Sequence, residues 1–364
     1  MKVLHLPTII GGNSWSLSQG ERRLGWSSEV LNAGINPFGY STDIDLGLDD
    51  RSGRWHRLAR TASAFMELRT RYDVFHFNGG ISLMHAPRFG LPLLELPFYP
   101  ARSKLFVTFQ GCDARQKFPT MQRTPVAACH DPACYGGACN SGARDRQRRG
   151  IIEKFARHVE HFWAVNPDLL NFLPEGVSSF LPYAVLVKDE NDYPPSRDDV
   201  LRIAHAPTNR VAKGSQAILA AIDRLSARYP GKVELILIEG KSHEEALQLY
   251  QHADLVIDQI LIGWYGAFAV EAMMLGKPVI ARIDDNDLHF LPPEFARALS
   301  GAVISAEPST IDAVLAEWAT DKDRLVEQGR RARAFARRWH SPEAVARITT
   351  GYYRTSTDGV IKGA

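Results

Sequence analysis

The sequence predicts an α/β protein built from two doubly wound, Rossmann-like domains facing a central cleft. Three observations carry that expectation. Short, continuous apolar runs recur along the chain, stretches with helical spacing lie between them, and a polar, proline-bearing segment divides the series into two halves. At 364 residues the chain also exceeds what one hydrophobic core usually supports, which suits two domains of roughly 150 to 200 residues.

In the first half the runs are "KVLHLP" (2–7), "YDVFHFNGG" (72–80), "KLFVTFQG" (104–111) and "HFWAVNP" (161–167). Runs this short and unbroken suit strands buried on both faces of a parallel sheet. Helical spacing shows in Ile151, Ile152, Phe155, Val159 and Phe162. Residues 189–200, "DENDYPPSRDDV", are polar and without periodicity, so a first domain over 1–188 is expected to end there. The second series then reads "LRIAHAP" (201–207), a helix over 215–229, "KVELILIEG" (232–240), a helix over 243–252, "ADLVIDQI" (253–260), a helix over 267–275, and "KPVIARI" (277–283). Residues 325–354 are helical in pattern, strongly basic and interrupted at Pro342; they read as solvated surface helices, with a nucleic-acid or lipid-headgroup patch as the alternative.

Composition excludes more than it assigns. With 45% hydrophobic and 23% charged residues and a formal net charge of +2, bulk charge points to no partner, and no nucleic acid is expected. The N-terminus lacks the apolar core of about 7 to 15 residues that marks a signal peptide, and no run approaches the ~20 residues needed to cross a bilayer. A cytoplasmic protein is expected. Four cysteines do not suggest a disulfide framework. Three of them, Cys129, Cys134 and Cys139, lie in "CHDPACYGGAC"; with His130 or Cys112 they read either as a structural zinc site or as thiols in a surface excursion.

The stretch "GWYGAFAVEAMMLGKPVI" (263–280) is apolar, broken by Gly263, Gly266 and Gly276, and carries a single carboxylate, Glu271. A helix starting near Ala267 would offer the backbone N–H groups of Gly266, Ala267 and Phe268, at the positive end of its dipole, to a phosphate. Glu271, one turn in, could accept two hydrogen bonds from a sugar diol, or simply complement the dipole. Arg210 and Lys213, in the loop "HAPTNRVAKGS" after the first strand of the second half, supply cations for the same phosphate. In the first half, Gly11 and Gly12 follow strand one, with Asn13 or Ser14 as a helix cap, and let backbone approach a ligand; the three-glycine dinucleotide pattern is absent. His76 and Asn78 end one strand; Gln110, Asp113 and Arg115 follow the next.

Together "HAPTNRVAKGS", "LILIEG" and "ADLVIDQILIGWYGAFAVEAMMLGKPVI" resemble the donor domain of retaining glycosyltransferases of the GT-B fold, the group called family 4 or group 1. "GG" after strand one, "DVFHFN" for the family's D-x-x-H-x-H and "FQGCDAR" for its H-G-S-D-x-R extend the resemblance through the first half. The resemblance implies a donor domain over 189–340 and a final helix in 341–364 that crosses back to the first domain. It implies that Lys213, with Arg210, binds the diphosphate of a nucleotide sugar, and that Tyr265, Gly266, Ala267 and Phe268 line that site. By the same likeness Glu271 holds the ribose, Glu239 and Gly240 lie near the base, and Gly11, Gly12 and His76 face the sugar or acceptor. His76, Asn78 and Asp113 would be the catalytic set. The activity implied is transfer of a hexose, with retention and without a metal cofactor, in polysaccharide biosynthesis; a lipid-linked acceptor would bring the enzyme to the inner membrane face. A nucleotide-sugar epimerase of the same fold, or a non-catalytic sugar-nucleotide-binding subunit, are the alternatives. The sequence departs from the family at Gly263, where the first motif glutamate is expected, and at Thr208, where an arginine is; Asp258 or Gln259 would then take over the sugar contact.

Overall fold

A computed structural model of the chain describes residues 1–49, 51–85, 92–187 and 191–355. It divides into two compact units: residues 1–115, 146–184 and 341–364 form the first, and 116–145 with 185–340 the second. The expected boundary at 188/189 lies outside the described residues, as do positions 356–364. The segment 116–145, which the sequence reading kept in the first domain, belongs to the second unit. Ala128 N donates to Leu261 O at 3.1 Å, and Arg123 pairs with Asp287 at 2.7 Å, so its partners are second-unit residues.

The first sheet takes β1 (Lys2–Leu6), β2 (Ser27–Asn32), β3 (Ile44–Asp45), β4 (Val74–Asn78), β5 (Lys104–Phe109), β6 (His161–Ala164) and β7 (Ser178–Phe180), in the order β3-β2-β1-β4-β5-β6-β7. Every pairing among the described residues is parallel. Interposed are α1 (Asn13–Arg23), α2 (Arg54–Leu68), α3 (Lys117–Arg123), which belongs to the second unit, and α4 (Ala143–Ala156). The period-2 alternation of side chains sorts this sheet into two faces. Leu4, Leu6, Phe75, Phe77, Leu105, Val107 and Phe109 pack with α2 and α4, whereas Val3, Val74, Phe106 and Trp163 pack with α1 and the C-terminal helix.

The second sheet takes β8 (Leu201–His205), β9 (Val233–Leu237), β10 (Leu255–Ile257), β11 (Val279–Ala281) and β12 (Val303–Ser305), ordered β12-β11-β10-β8-β9, again parallel. Around it run α5 (Arg210–Lys213), α6 (Ser215–Arg228), α7 (His243–Gln251), α8 (Ala267–Met274), α9 (Pro293–Ala302), α10 (Ile311–Trp318) and α11 (Lys322–His340). Strand order reverses between β1 and β4 in the first sheet and between β8 and β10 in the second. In doubly wound sheets those switch points open a crevice at the carboxyl ends of the strands.

The last helix, α12 (Pro342–Thr355), corrects the expectation of solvated C-terminal helices. It packs in the first unit, with Val345, Ala346, Thr349 and Tyr353 fully buried. α11 likewise buries Leu325, Ala332, Phe335 and Ala336; most of its arginines lie on the outer face, while Arg333 is largely buried and pairs with Asp192 at 3.0 Å. Pro342 sits at the first helical position, where its missing N–H costs nothing. Thr349 Oγ1 donates to Glu21 Oε1 at 3.2 Å, and Lys104 Nζ donates to Tyr353 O at 2.5 Å. No helix among the described residues is long and apolar enough to cross a membrane.

α1 and α12 approach so closely at Gly20 that a Cβ there would lie 2.1 Å from Pro342 O. Gly20→Ala is therefore expected to lower the unfolding free energy by about 1–3 kcal/mol. Gly150→Ala, where a Cβ meets nothing within 4 Å, is expected to be neutral or slightly stabilising. Chemical denaturation of the two variants makes the comparison.

Candidate functional site

In the second unit, the loops after β8 and β10 flank the switch point. Asn209 caps α5 by accepting a hydrogen bond from Ala212 N at 2.9 Å. Gly214 then turns the chain with φ of 78°, a left-handed conformation that suits glycine, and starts α6; a Cβ there would meet Ile260 Cγ1 at 2.7 Å. This turn aims Lys213 inward. Its Nζ lies 2.5 Å from Asp258 Oδ1, and Asp258 Oδ2 accepts the Gly266 N–H at 2.6 Å. Asp258 is fully buried at the end of β10, so one carboxylate bridges an ammonium and the N-cap residue of α8. A Cβ added to Gly266 would lie 3.6 Å from Lys213 Nζ, which places the ammonium at the start of that helix.

The sequence reading offered the Gly266 N–H to a phosphate; the structure gives it to Asp258 instead. Ala267 and Phe268 follow it, and their amides belong to the first turn, which the helix's own ladder cannot satisfy. Asp258 and Gln259, which the sequence reading offered to the sugar, are engaged by the protein itself. Asp258 is held as described, and Gln259 Nε2 donates to Trp264 O at 2.6 Å inside the core. Gly263 has φ of 84°, and a Cβ there would press on Arg282 Nη1 and Asp284 Cβ, both at 3.1 Å.

Glu271 lies on α8 with only 6% of its surface exposed. Its Oε1 is 2.7 Å from His243 Nε2, a partner the sequence reading missed. A signal for it existed: Ser242 and Glu245 form a capping box, which fixes His243 at the first position of α7, just past β9. Glu239 and Arg210 are joined by two hydrogen bonds, at 2.8 and 2.6 Å, close to solvent. That pairing lowers the Glu239 pKa, the Arg210 hydrogen bond being the largest cause. Gly240 follows with φ of 65° and open space where a Cβ would be. Tyr265 is fully buried; it stacks on Trp264 and its hydroxyl sits 2.9 Å from His340 Nε2, so it supports the loop from below and lines no opening.

The first unit is organised differently from its expectation. Gly11 and Gly12 do follow β1, both left-handed, and a Cβ on Gly12 would meet the Tyr40 ring at 2.9 Å. Gly12 is itself the N-cap of α1. Asn13 Oδ1 instead accepts Ala184 N at 2.8 Å, and Ser14 Oγ donates to Thr8 O at 3.2 Å, so neither serves as the cap. His76 is fully buried, 2.7 Å from Tyr353 Oη through Nδ1 and 2.6 Å from Thr108 Oγ1 through Nε2. Burial, and secondarily the neighbouring His5, push its pKa well down. It shares the sheet face of Val74 and Phe106, which strand alternation turns toward α12; it is a core histidine and does not face a sugar or acceptor. Asp113 shapes the turn after β5 by accepting N–H groups from Gln110, Gly111 and Ala114. Its pKa is raised by burial, with those amides acting the other way. Arg115 is locked to Asp168 at 2.6 and 2.9 Å. Asn78 differs from all of these. It is fully buried at the end of β4, at the switch point, and neither amide atom has a hydrogen-bond partner among the described residues; Gln110 Nε2, after β5, is in the same position.

Among the described residues no three His, Cys, Asp or Glu side chains converge as metal ligands, and His130 Nε2 is engaged by Thr124 O at 2.9 Å. "CHDPACYGGAC" lies in an irregular excursion of the second unit, with Cys129 in a short 3-10 turn at Ala128–His130 and Cys134 in another at Cys134–Gly137.

No protein-family model matches the chain, and no curated protein sequence matches it significantly. Solved structures do match. A sucrose-phosphate synthase from Thermosynechococcus elongatus superposes with a TM-score of 0.60 at 14% identity, covering 98% of this chain and 99% of that one. HepE from Anabaena, in complex with UDP-glucose, gives 0.60 at 13% identity over 97% and 99% of the two chains. The fold is GT-B. A glycosyltransferase from Rickettsia africae gives 0.57 at 12% identity, covering 98% of each chain. At these identities the likeness speaks for the fold, and the site rests on the geometry above.

Asp258 is the element that geometry depends on. Asp258→Ala leaves the Lys213 ammonium, only 13% exposed, without its counter-charge, and should cost about 3 kcal/mol of stability in equilibrium denaturation.

Proposed function

We propose that the chain is a glycosyltransferase that moves a sugar, most simply a hexose, from a nucleotide diphosphate donor to an acceptor. The observation that carries this reading is the placement of Lys213 at the N-terminus of α8, on the switch point of the second sheet, with Glu271 further along the same helix. The GT-B fold supports it, as does the UDP-glucose held by the Anabaena neighbour.

In this reading Lys213 and the amides of Ala267 and Phe268 stabilise the diphosphate as it leaves. This is electrostatic catalysis by groups already in place. Arg210 joins them by exchanging Glu239 for phosphate oxygens, which its bidentate geometry suits. Glu271 offers Oε2 to the ribose diol while His243 holds Oε1, and Gly240 admits the base. In the first unit, the unsatisfied amides of Asn78 and Gln110 bind hydroxyls; a buried amide left without a partner costs about 1–3 kcal/mol, so a polyol is a natural ligand for them. His76 and Tyr265 have no part in the chemistry. Retention of configuration and independence of a metal follow from the resemblance in sequence.

Thermal stabilisation by a panel of UDP-, GDP- and ADP-sugars, followed by assay of released nucleotide diphosphate, tests the reading. At least one donor should stabilise the wild type and turn over; stabilisation without turnover would favour a binding subunit, and an epimerised sugar without acceptor would favour an epimerase. Lys213→Ala should abolish the donor-induced shift, whereas Cys134→Ala should preserve it. An equal response in wild type and Lys213→Ala would remove the diphosphate from this loop.

His243→Ala should raise the donor KM about tenfold with a smaller change in kcat, the loss of one hydrogen bond to a charged group that positions Glu271. His243→Asn, which can still donate, should recover part of that loss. An unchanged KM in both variants would detach His243 from the donor.

A further inference from the structure

We propose that the outer face of α2, in the first unit, docks on the surface of an anionic phospholipid bilayer. The helix carries two apolar stripes. One consists of Thr61, Ala64, Phe65 and Leu68 and is buried against the sheet. The other runs through Trp55, Leu58, Ala62 and Met66, a spacing of three, four and four residues that keeps them on one side of the helix, roughly a third of a turn from the first. The fold leaves this second stripe uncovered: Trp55 is 79% exposed, Leu58 42% and Met66 59%. Phe98, 62% exposed, extends it at the C-terminal end, where Arg69 Nη1 donates to Phe98 O at 3.0 Å.

The charge around the stripe names the partner. Residues 51–71 hold six arginines and one glutamate. Arg57 donates a guanidinium hydrogen bond to the carbonyl of Asp49, and the glutamate, Glu67, pairs with Arg71 at the far end. A helix with a tryptophan-bearing apolar stripe, low overall hydrophobicity and flanking arginines has the chemistry of an interfacial helix. Its apolar side chains enter the boundary of the acyl chains while the guanidinium groups snorkel to phosphates. A protein partner would need acidic residues to match the arginines. A bilayer containing anionic lipid provides that charge everywhere on its surface. The inference goes beyond glycosyl transfer and stands or falls without it, because vesicle binding is measured with neither donor nor acceptor present.

The test is flotation of the full chain with vesicles of phosphatidylcholine alone and with about 30% phosphatidylglycerol added. The wild type should float with the anionic vesicles and stay behind with the neutral ones, and the bound fraction should fall about tenfold between about 0.1 M and about 0.5 M salt as the charges are screened. Trp55→Ser with Met66→Ser should reduce binding about tenfold or more, and Arg54→Glu with Arg60→Glu at least as much. The first pair of substitutions falls on exposed positions, so circular dichroism and the thermal midpoint should match the wild type. Failure to float with anionic vesicles overturns the proposal, as does a Trp55→Ser, Met66→Ser protein that binds as tightly as the wild type. A wild-type dimer in sedimentation that the same double variant turns into a monomer would also overturn it, assigning the stripe to a second copy of the chain.

Discussion

A carboxylate with none of its surface in water has to be matched, and Asp258 is matched twice. Burying an ion in a protein costs several kcal/mol even after relaxation, so the position is tolerable only with a close counter-charge and further hydrogen bonds. Lys213 supplies the first from the loop after β8, and the Gly266 amide supplies the second from the N-cap of α8. Three segments are thereby fixed at one point: the end of β10, the start of α8 eight residues on, and the α5–α6 turn 45 residues before. Gly214 makes this possible by closing against Ile260, and Gly266 by leaving room for the lysine head. The same arrangement limits the chemistry. An anion that binds at the start of α8 meets a lysine already partnered, so the site's net attraction comes from the pair's geometry and the helix amides more than from a lone positive charge.

Gly263 is the other determinant of that site's character. A glutamate there would have to adopt a left-handed backbone and would press against Arg282 and Asp284. Those two are themselves joined at 2.8 Å, Arg282 reaches Thr124 at 3.1 Å, and Asp284 N donates to Gly263 O at 3.0 Å. The loop is thus built around glycine, and the excursion 116–145 completes it from the side. A carboxylate has not simply been deleted; an arginine–aspartate pair occupies the neighbouring space.

In the first unit, the polar residues of β4 divide by the reach of α12. His76 falls on the face that Tyr353 covers, and joins a buried network in which Glu21 accepts from Ser28, Thr349 and the His5 ring. Asn78 lies on the same strand and the same face, two residues further on, where the strand ends and none of the described residues supplies its amide with a partner. Its amide therefore remains available, while the histidine two residues earlier does not.

The sequence by itself determined the alternation of strands and helices, the parallel character of both sheets, the start of α8 near Ala267 with Glu271 one turn into it, and the segment after β8 that carries Lys213. Those features follow from local periodicity and from turn residues, and both are written in consecutive positions. Only the tertiary structure decided what the polar groups touch. That Asp258 claims the Gly266 amide eight residues on, that Lys213 reaches Asp258, that His243 meets Glu271, that His76 is core, and that 116–145 belongs with the second unit are facts of packing, most of them about residues separated by tens or hundreds of positions. A buried charge or amide takes whichever partner the packing brings within about 3 Å, and the local pattern of a chain carries no record of that distance.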